Sequence, residues 1–216
     1  MSNQKTYEAI VMGTSAGGLS ALKKMLPGFP ADFPCPVLVV QHISPQSDSY
    51  LIKMLDELCP MKVKEAVDTE QIESGTIYFA PPDYHLLVET DRSMSLTVDE
   101  KVNYSRPSID VLFETAAEAY GENLIGIILT GANADGAVGL LKIKNYGGYT
   151  MVQDPNDAEN AVMPEKAMRM VLPDQVLTID EMVPFLLKMN YHASEKESPD
   201  QVDQGKNSKK DNSDPG

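Results

Sequence analysis

Three side chains stand out because of what precedes each of them. Ser15 lies in Gly13-Thr-Ser15-Ala-Gly17, a G-x-S-x-G pattern that directly follows the apolar run Ala9–Met12. In a sharp strand-to-helix turn of this kind the flanking glycines leave the hydroxyl uncrowded and open to an electrophile. A helix beginning near Ala16 would aim backbone N–H groups and a positive dipole end at the same spot, where an oxyanion would form. The plainer reading is a glycine-rich turn with a helix-capping serine. A phosphate loop is the rival reading, but the segment fits neither G-x-G-x-x-G nor G-x-x-x-x-G-K-[ST] and carries no lysine. His42 ends the run Val37–Gln41, where an imidazole is placed to act as a general base or to serve as an ordinary loop histidine. Asp135 sits in Thr130-Gly-Ala-Asn-Ala-Asp135-Gly136, after the run Ile125–Leu129. A carboxylate there can orient an imidazole and stabilise its cation, or simply cap a turn. Asp154, after the next run, competes for that role, and pattern alone leaves both open. A serine, a histidine and an aspartate at the same ends of three strands make the set that hydrolytic triads use. Their order, Ser-His-Asp, differs from the Ser-Asp-His order of α/β-hydrolases, so the G-x-S-x-G does not imply that fold.

The elements that must hold these residues are legible as alternating periods. Ala9–Met12, Val37–Val40, Ile77–Ala80, Ile125–Leu129 and Tyr149–Val152 are short aliphatic runs suited to parallel strands buried on both faces. Between them, Leu19, Leu22 and Leu26 keep helical spacing. So do Leu51, Met54, Leu55 and Leu58 after the cap candidates Ser47 and Asp48, and Ile109, Leu112, Phe113, Ala116, Ala117 and Tyr120. Strands alternating with helices predict an α/β fold with a doubly wound, mostly parallel sheet and helices on both faces. From Lys62 to Val98 the runs shorten and turn signals appear at Glu73-Ser-Gly75 and Pro81-Pro-Asp83, which predicts an antiparallel hairpin at a sheet edge. His85 falls in that stretch and His192 near the C-terminus, away from parallel-strand ends, so both are read as structural or solvated.

Composition narrows the function further. Among 216 residues, 18 Lys and Arg face 32 Asp and Glu, a net charge of −14 that disfavours nucleic acid or anionic lipid as partner. Two cysteines are too few for a disulfide framework, and three histidines without CxxC or HExxH spacing predict no metal site. The twelve methionines are spread along the chain as core filler. No signal-peptide pattern opens the chain, and no apolar stretch reaches the roughly 18–20 residues of a membrane span, so the expectation is a soluble, cytoplasmic protein. From Ala193 to Gly216 only Ala193 and Val202 are aliphatic, while six acids and four lysines carry −2, leaving −12 on residues 1–192. Residues 1–192 are therefore expected to fold as one domain and 193–216 to form a disordered polar tail.

Five segments, in this order, resemble the catalytic domain of the CheB-type chemoreceptor methylesterases. They are Gly13-Thr-Ser15-Ala-Gly-Gly18, Val39-Val-Gln-His42, Ile77-Tyr-Phe-Ala-Pro81, Arg106-Pro-Ser-Ile-Asp-Val-Leu-Phe113 and Ile128-Leu-Thr-Gly131 with Asp135-Gly136. The similarity runs over roughly residues 7–189. It implies a hydrolase that removes methyl esters from glutamyl side chains of bacterial chemoreceptors, in many members also deamidating glutamines, without cofactor or metal. By position it implies Ser15 as nucleophile, His42 as base and Asp135, rather than Asp154, as orienting acid. Backbone N–H groups at Ala16 and Ala132 would bind the oxyanion, with Arg106 and Met163 on the substrate side. Three positions depart from the pattern: Ala132 where methionine is usual, Ser105 where a histidine precedes the Arg-Pro, and Val162 where glycine precedes Met-Pro. Typical members also carry an N-terminal receiver domain; here the first strand starts near Tyr7. The implied partners are the cytoplasmic domains of methylated chemoreceptors and a kinase or other regulator acting in trans. The rival expectation is a non-catalytic chemotaxis-signalling module that keeps the fold and only binds.

Overall fold

A computed structural model describes residues 6–42 and 50–194 of the chain. Seven strands form one sheet in the order β3-β4-β2-β1-β7-β8-β9: β1 (Ala9–Thr14), β2 (Val37–Gln41), β3 (Lys62–Glu65), β4 (Thr76–Phe79), β7 (Leu124–Ile128), β8 (Tyr149–Gln153) and β9 (Gln175–Leu177). Every neighbouring pair is parallel. The aliphatic runs are the inner strands, and the reason is visible in their burial. All six residues of β1 and all five of β2 and of β7 are buried, which only a sheet covered on both faces requires.

Alternation along each strand divides the core in two. Ile10 and Met12 of β1, with Val37 and Val39 of β2, point to one face. There they meet Leu22 and Met25 of α1 (Gly18–Met25), Leu55 of α2 (Tyr50–Leu58) and Met182 and Leu186 of α6 (Ile179–Ser194). Ala9 and Val11, with Leu38 and Val40, point to the other. That layer holds Leu112, Phe113 and Ala116 of α3 (Ile109–Tyr120), Leu140 and Ile143 of α4 (Ala137–Asn145) and Ala167 of α5 (Val162–Val171). The cap candidates Ser47 and Asp48 lie outside the described residues. The last helix continues through Ala193 and Ser194, into the segment expected to be tail, and residues 195–216 also lie outside the described residues.

The antiparallel hairpin is present as β5 (His85–Val88) paired with β6 (Met94–Thr97), but it is a sheet of its own. It is laid over α3, where the Val88 N–H donates to Thr115 Oγ1 at 3.1 Å. The edge of the main sheet is instead β3, whose Lys62-Val-Lys-Glu65 sequence buries only Val63 fully and so lacks an aliphatic run. Parallel pairing of β3 with β4 uses the same short, turn-separated runs that read locally as a hairpin.

The chain moves from β1 outward through β2 to β4, then returns to the opposite side of β1 for β7, β8 and β9. The winding direction reverses between β1 and β7. In an open parallel sheet that is where a crevice opens beyond the carboxyl ends of the strands.

Candidate active site

The end of β1 is tied to the end of β7. The Thr14 hydroxyl donates to the Thr130 carbonyl at 2.9 Å, and the Ser15 N–H donates to the same oxygen at 3.0 Å. Thr130 Oγ1 accepts the Asn160 N–H and donates to the Ala16 carbonyl, both at 2.8 Å. Gly17 then takes a left-handed conformation, φ 79°, to start α1. Gly18 follows in a space that a Cβ would close, because it would overlap Gln41 Oε1 and Thr14 Oγ1. These constraints leave Ser15 half-buried, and its hydroxyl makes no hydrogen bond to any described residue.

His42 arrives beside Ser15 by register. Thr14 pairs with Gln41 across β1 and β2, so Ser15 and His42 are the next residues on adjacent strands. The buried Gln41 amide fastens them together, with Nε2 donating to the Ser15 carbonyl at 3.0 Å and to the His42 carbonyl at 2.9 Å. Its Oε1 is buried without a partner among the described residues.

Asp135 is fully buried and lies 2.9 Å from His42 Nε2 through Oδ2. The same oxygen accepts the Ile109 N–H at 2.7 Å. Oδ1 accepts the Ser108 hydroxyl at 2.8 Å, the Asn103 amide at 3.1 Å and the Asp110 N–H at 3.2 Å. Ser108 is the N-cap of α3, so the carboxylate sits at the positive end of that helix. Burial alone would raise its pKa. The bonds from His42, the Ile109 N–H and Asn103 outweigh burial and hold the carboxyl below the usual range, so it is anionic at neutral pH. An anionic acceptor facing Nε2 requires the proton on Nε2, which leaves the Nδ1 lone pair as the basic site. Nδ1 is met by the Asn133 amide, whose Nδ2 is 3.1 Å away.

The other expected residues fall around this centre. The N–H groups of Ala16 and Ala132 have no hydrogen-bond partner among the described residues, and both alanines are exposed. Arg106 lines a cleft of about 170 Å³ together with His42, Asp83, Lys101, Tyr104, Ser105 and Pro107. Its guanidinium is already engaged, donating to Asp83 Oδ1 at 2.9 and 3.2 Å and to the carbonyls of Val98 and Asp99 at 2.6 and 3.0 Å. Met163 is buried under Gly131, and its N–H donates to the Gly131 carbonyl at 2.9 Å, so it supports the loop that carries Ala132. Asp154 closes its own turn on Asn156 and makes no bond to His42. His85 is a satisfied core histidine; its Nδ1 accepts the Ser108 N–H at 3.2 Å and Nε2 donates to the Glu100 carbonyl at 3.1 Å.

Sequence reasoning missed Gln41, Asn103, Ser108 and Asn133. Ser108 had a signal, since Pro-Ser-x-Asp before an apolar period marks a helix start. Gln41 had a weaker one, a polar residue closing an otherwise aliphatic strand. Asn103 and Asn133 had none, because their partners are brought together by sheet order and loop conformation.

Comparison with known proteins gives the family. The family model described as CheB methylesterase matches residues 10–186. A protein of Leptospira interrogans, named provisionally as a protein-glutamate methylesterase/protein-glutamine glutaminase, is 51% identical over 184 residues, covering 85% of this chain and 95% of the relative. A protein-glutamate methylesterase/protein-glutamine glutaminase of Dechloromonas aromatica is 40% identical over 176 residues, 80% of this chain but 50% of the relative. The crystal structure of the Thermotoga maritima CheB methylesterase catalytic domain superposes with a TM-score of 0.82 at 33% identity, covering 85% of this chain and 99% of that one. With this sheet order and these matches in agreement, the chain belongs to the CheB methylesterase family.

Proposed function

We propose that this protein hydrolyses γ-glutamyl methyl esters on methylated chemoreceptors, with Ser15 as nucleophile, His42 as general base and Asp135 as orienting acid. The observation that carries the residue roles is the 2.9 Å bond between His42 Nε2 and a fully buried, anionic Asp135, with a Ser15 hydroxyl that bonds no described residue on the neighbouring strand end. The Ser15 Oγ–H proton passes to His42 Nδ1 as Oγ attacks the ester carbonyl. Asp135 keeps the proton on Nε2 and stabilises the imidazolium. The N–H groups of Ala16 and Ala132 bind the oxyanion, and each such donor is worth about 3 kcal/mol in the transition state. Methanol leaves with the proton from Nδ1. Water, deprotonated by the same nitrogen, then cleaves the acyl-enzyme to glutamate. With a glutaminyl side chain the same steps release ammonia, in keeping with the double name of the relatives. Arg106 and the cleft it lines form the substrate side, and Met163 supports the oxyanion loop. The reaction needs no metal or cofactor, and its site of action is the cytoplasmic part of the receptor. No helix among the described residues is long and apolar enough to cross a membrane. The non-catalytic alternative rests on the departures at Ala132, Ser105 and Val162 alone, whereas the relatives' names describe an enzyme.

The test is methanol release from methylated receptor fragments by wild type and Ser15→Ala. Release by wild type, falling more than about a thousandfold in the variant, is expected. Equal release by both would remove Ser15 from the mechanism, and no release by either would remove this substrate.

A further inference from the structure

The ring nitrogen that has to receive the Ser15 proton is occupied. Asn133 stands between the exposed Ala132 and Ala134 on the turn after β7. Its side-chain oxygen accepts the Asp135 N–H at 3.1 Å, which fixes the amide the other way round toward His42, with Nδ2 as donor. The opposite ring nitrogen faces the Asp135 carboxylate, so Nδ1 is an acceptor and the contact is a true N–H to N hydrogen bond. A single lone pair on Nδ1 cannot accept from Asn133 and from Ser15 together. Accordingly, the Ser15 hydroxyl has no hydrogen-bond partner among the described residues although it is the register neighbour of His42.

We propose that Asn133 is a positioning residue that occupies His42 Nδ1 in the resting site, and that acylation begins by handing this nitrogen from the Asn133 amide to the Ser15 hydroxyl. One hydrogen bond breaks and one forms, and the proton then moves along the new one. The resting bond holds the imidazole in its proton-accepting tautomer and orientation while no ester is bound. It also taxes the nucleophile, because the bond has to be surrendered before Ser15 is activated. Asn133 is half-buried on an exposed turn, so water can take over its amide when it swings away. The inference rests on the Ser15–His42–Asp135 reading.

The experiment is the rate of Ser15 modification by a small p-nitrophenyl alkylphosphonate, read by intact-protein mass spectrometry on the full chain at neutral pH. Asn133→Ala frees Nδ1, and its modification is expected to be about fivefold faster than wild type, the factor one ordinary hydrogen bond supplies. Asn133→Ser keeps an acceptor for the Asp135 N–H but cannot reach His42; it is expected to accelerate likewise and decides the matter if the alanine variant folds poorly. Asn133→Asp keeps the shape and the acceptor but presents a carboxylate to Nδ1. It favours the protonated ring, and modification is expected to slow about tenfold or more. A merely structural asparagine would slow all three alike, and that result, or no change in any of them, overturns the proposal. A wild type unmodified at Ser15 overturns the triad reading and the proposal with it, whereas a modified wild type with unmoved variants overturns the proposal alone.

Discussion

Asp110 and Asp135 share one amide: Asn103 Nδ2 lies 2.8 Å from Asp110 Oδ2 and 3.1 Å from Asp135 Oδ1. Asn103 adopts a left-handed backbone, φ 50°, to reach both carboxylates. The two acids are pushed apart in acidity by their remaining partners. Asp135 has His42 and the helix N-terminus, and it stays ionised. Asp110 is buried and faces the negative Asp135; the Gly139 N–H at 2.7 Å and Asn103 only partly offset this, and its pKa is pushed up to about 6.

Stability should therefore depend on pH through Asp110, with the opposite sign to an ordinary paired carboxylate. Its folded pKa lies above the unfolded value of about 3.9. The folded state then binds the extra proton between those limits, and stability from this group falls as pH rises from about 4 through about 6. The full span is worth about 3 kcal/mol. Asp135, lowered, contributes stability that is lost only as pH falls below the unfolded carboxylate value. Asp110→Asn cannot ionise, so its stability relative to wild type should improve by about 2 kcal/mol between pH 4.5 and 7.5. Urea unfolding of both proteins at the two pH values checks this, and a difference that stays constant with pH would remove Asp110 as the titrating group.

Much of this architecture was legible because burial writes itself into composition. Strands covered on both faces must be aliphatic throughout, so β1, β2 and β7 declared themselves, and the residues just past their ends were candidates by position. The edges did not declare themselves. In β3 the two lysines and the glutamate face solvent or the rim, and β9 is three residues long with none fully buried. Pairing partners in those strands are chosen by tertiary contact rather than local pattern. The same division runs through the site. Ser15, His42 and Asp135 were visible as reactive types at strand ends, whereas most of the hydrogen bonds that tune them join residues 25 or more positions apart. Arg106 could be placed near the cleft, but its commitment to Asp83 and two carbonyls depends on how the hairpin lies over α3.

Gln41 couples Ser15 and His42, the proposed nucleophile and base, through their backbones, so its loss should be felt in turnover more than in substrate affinity. Gln41→Leu removes both bonds and leaves the Ser15 and His42 carbonyls without this donor, at a cost of about 2 kcal/mol in stability. Misplacing the two side chains by a fraction of an ångström should lower kcat about ten- to a hundredfold with KM little changed. Gln41→Glu is isosteric but aims a carboxylate at the same two carbonyls, and it should be the less stable variant. Steady-state methanol release with thermal unfolding separates the effects. A folded Gln41→Leu protein with wild-type kcat would show that strand register alone sets the geometry.

Gly131 and Met163 form a second coupled pair, beneath the loop that carries Ala132. A Cβ on Gly131 would overlap the Met163 thioether, which is itself buried. Gly131→Ala should cost about 1–3 kcal/mol by overpacking and shift the neighbouring Ala132 N–H, lowering kcat. Met163→Ala should cost about 2–5 kcal/mol by opening a cavity. The double variant puts the new methyl into that cavity. Its destabilisation should fall short of the sum of the two by at least about 1 kcal/mol, and it should recover part of the turnover that Gly131→Ala loses. A four-member urea-unfolding cycle, with methanol release measured on each member, reads both quantities. Strict additivity in stability would mean that the loop relaxes away from Met163 instead of pressing on it, and the proposed oxyanion donor at Ala132 would then be positioned from the Thr130 side alone.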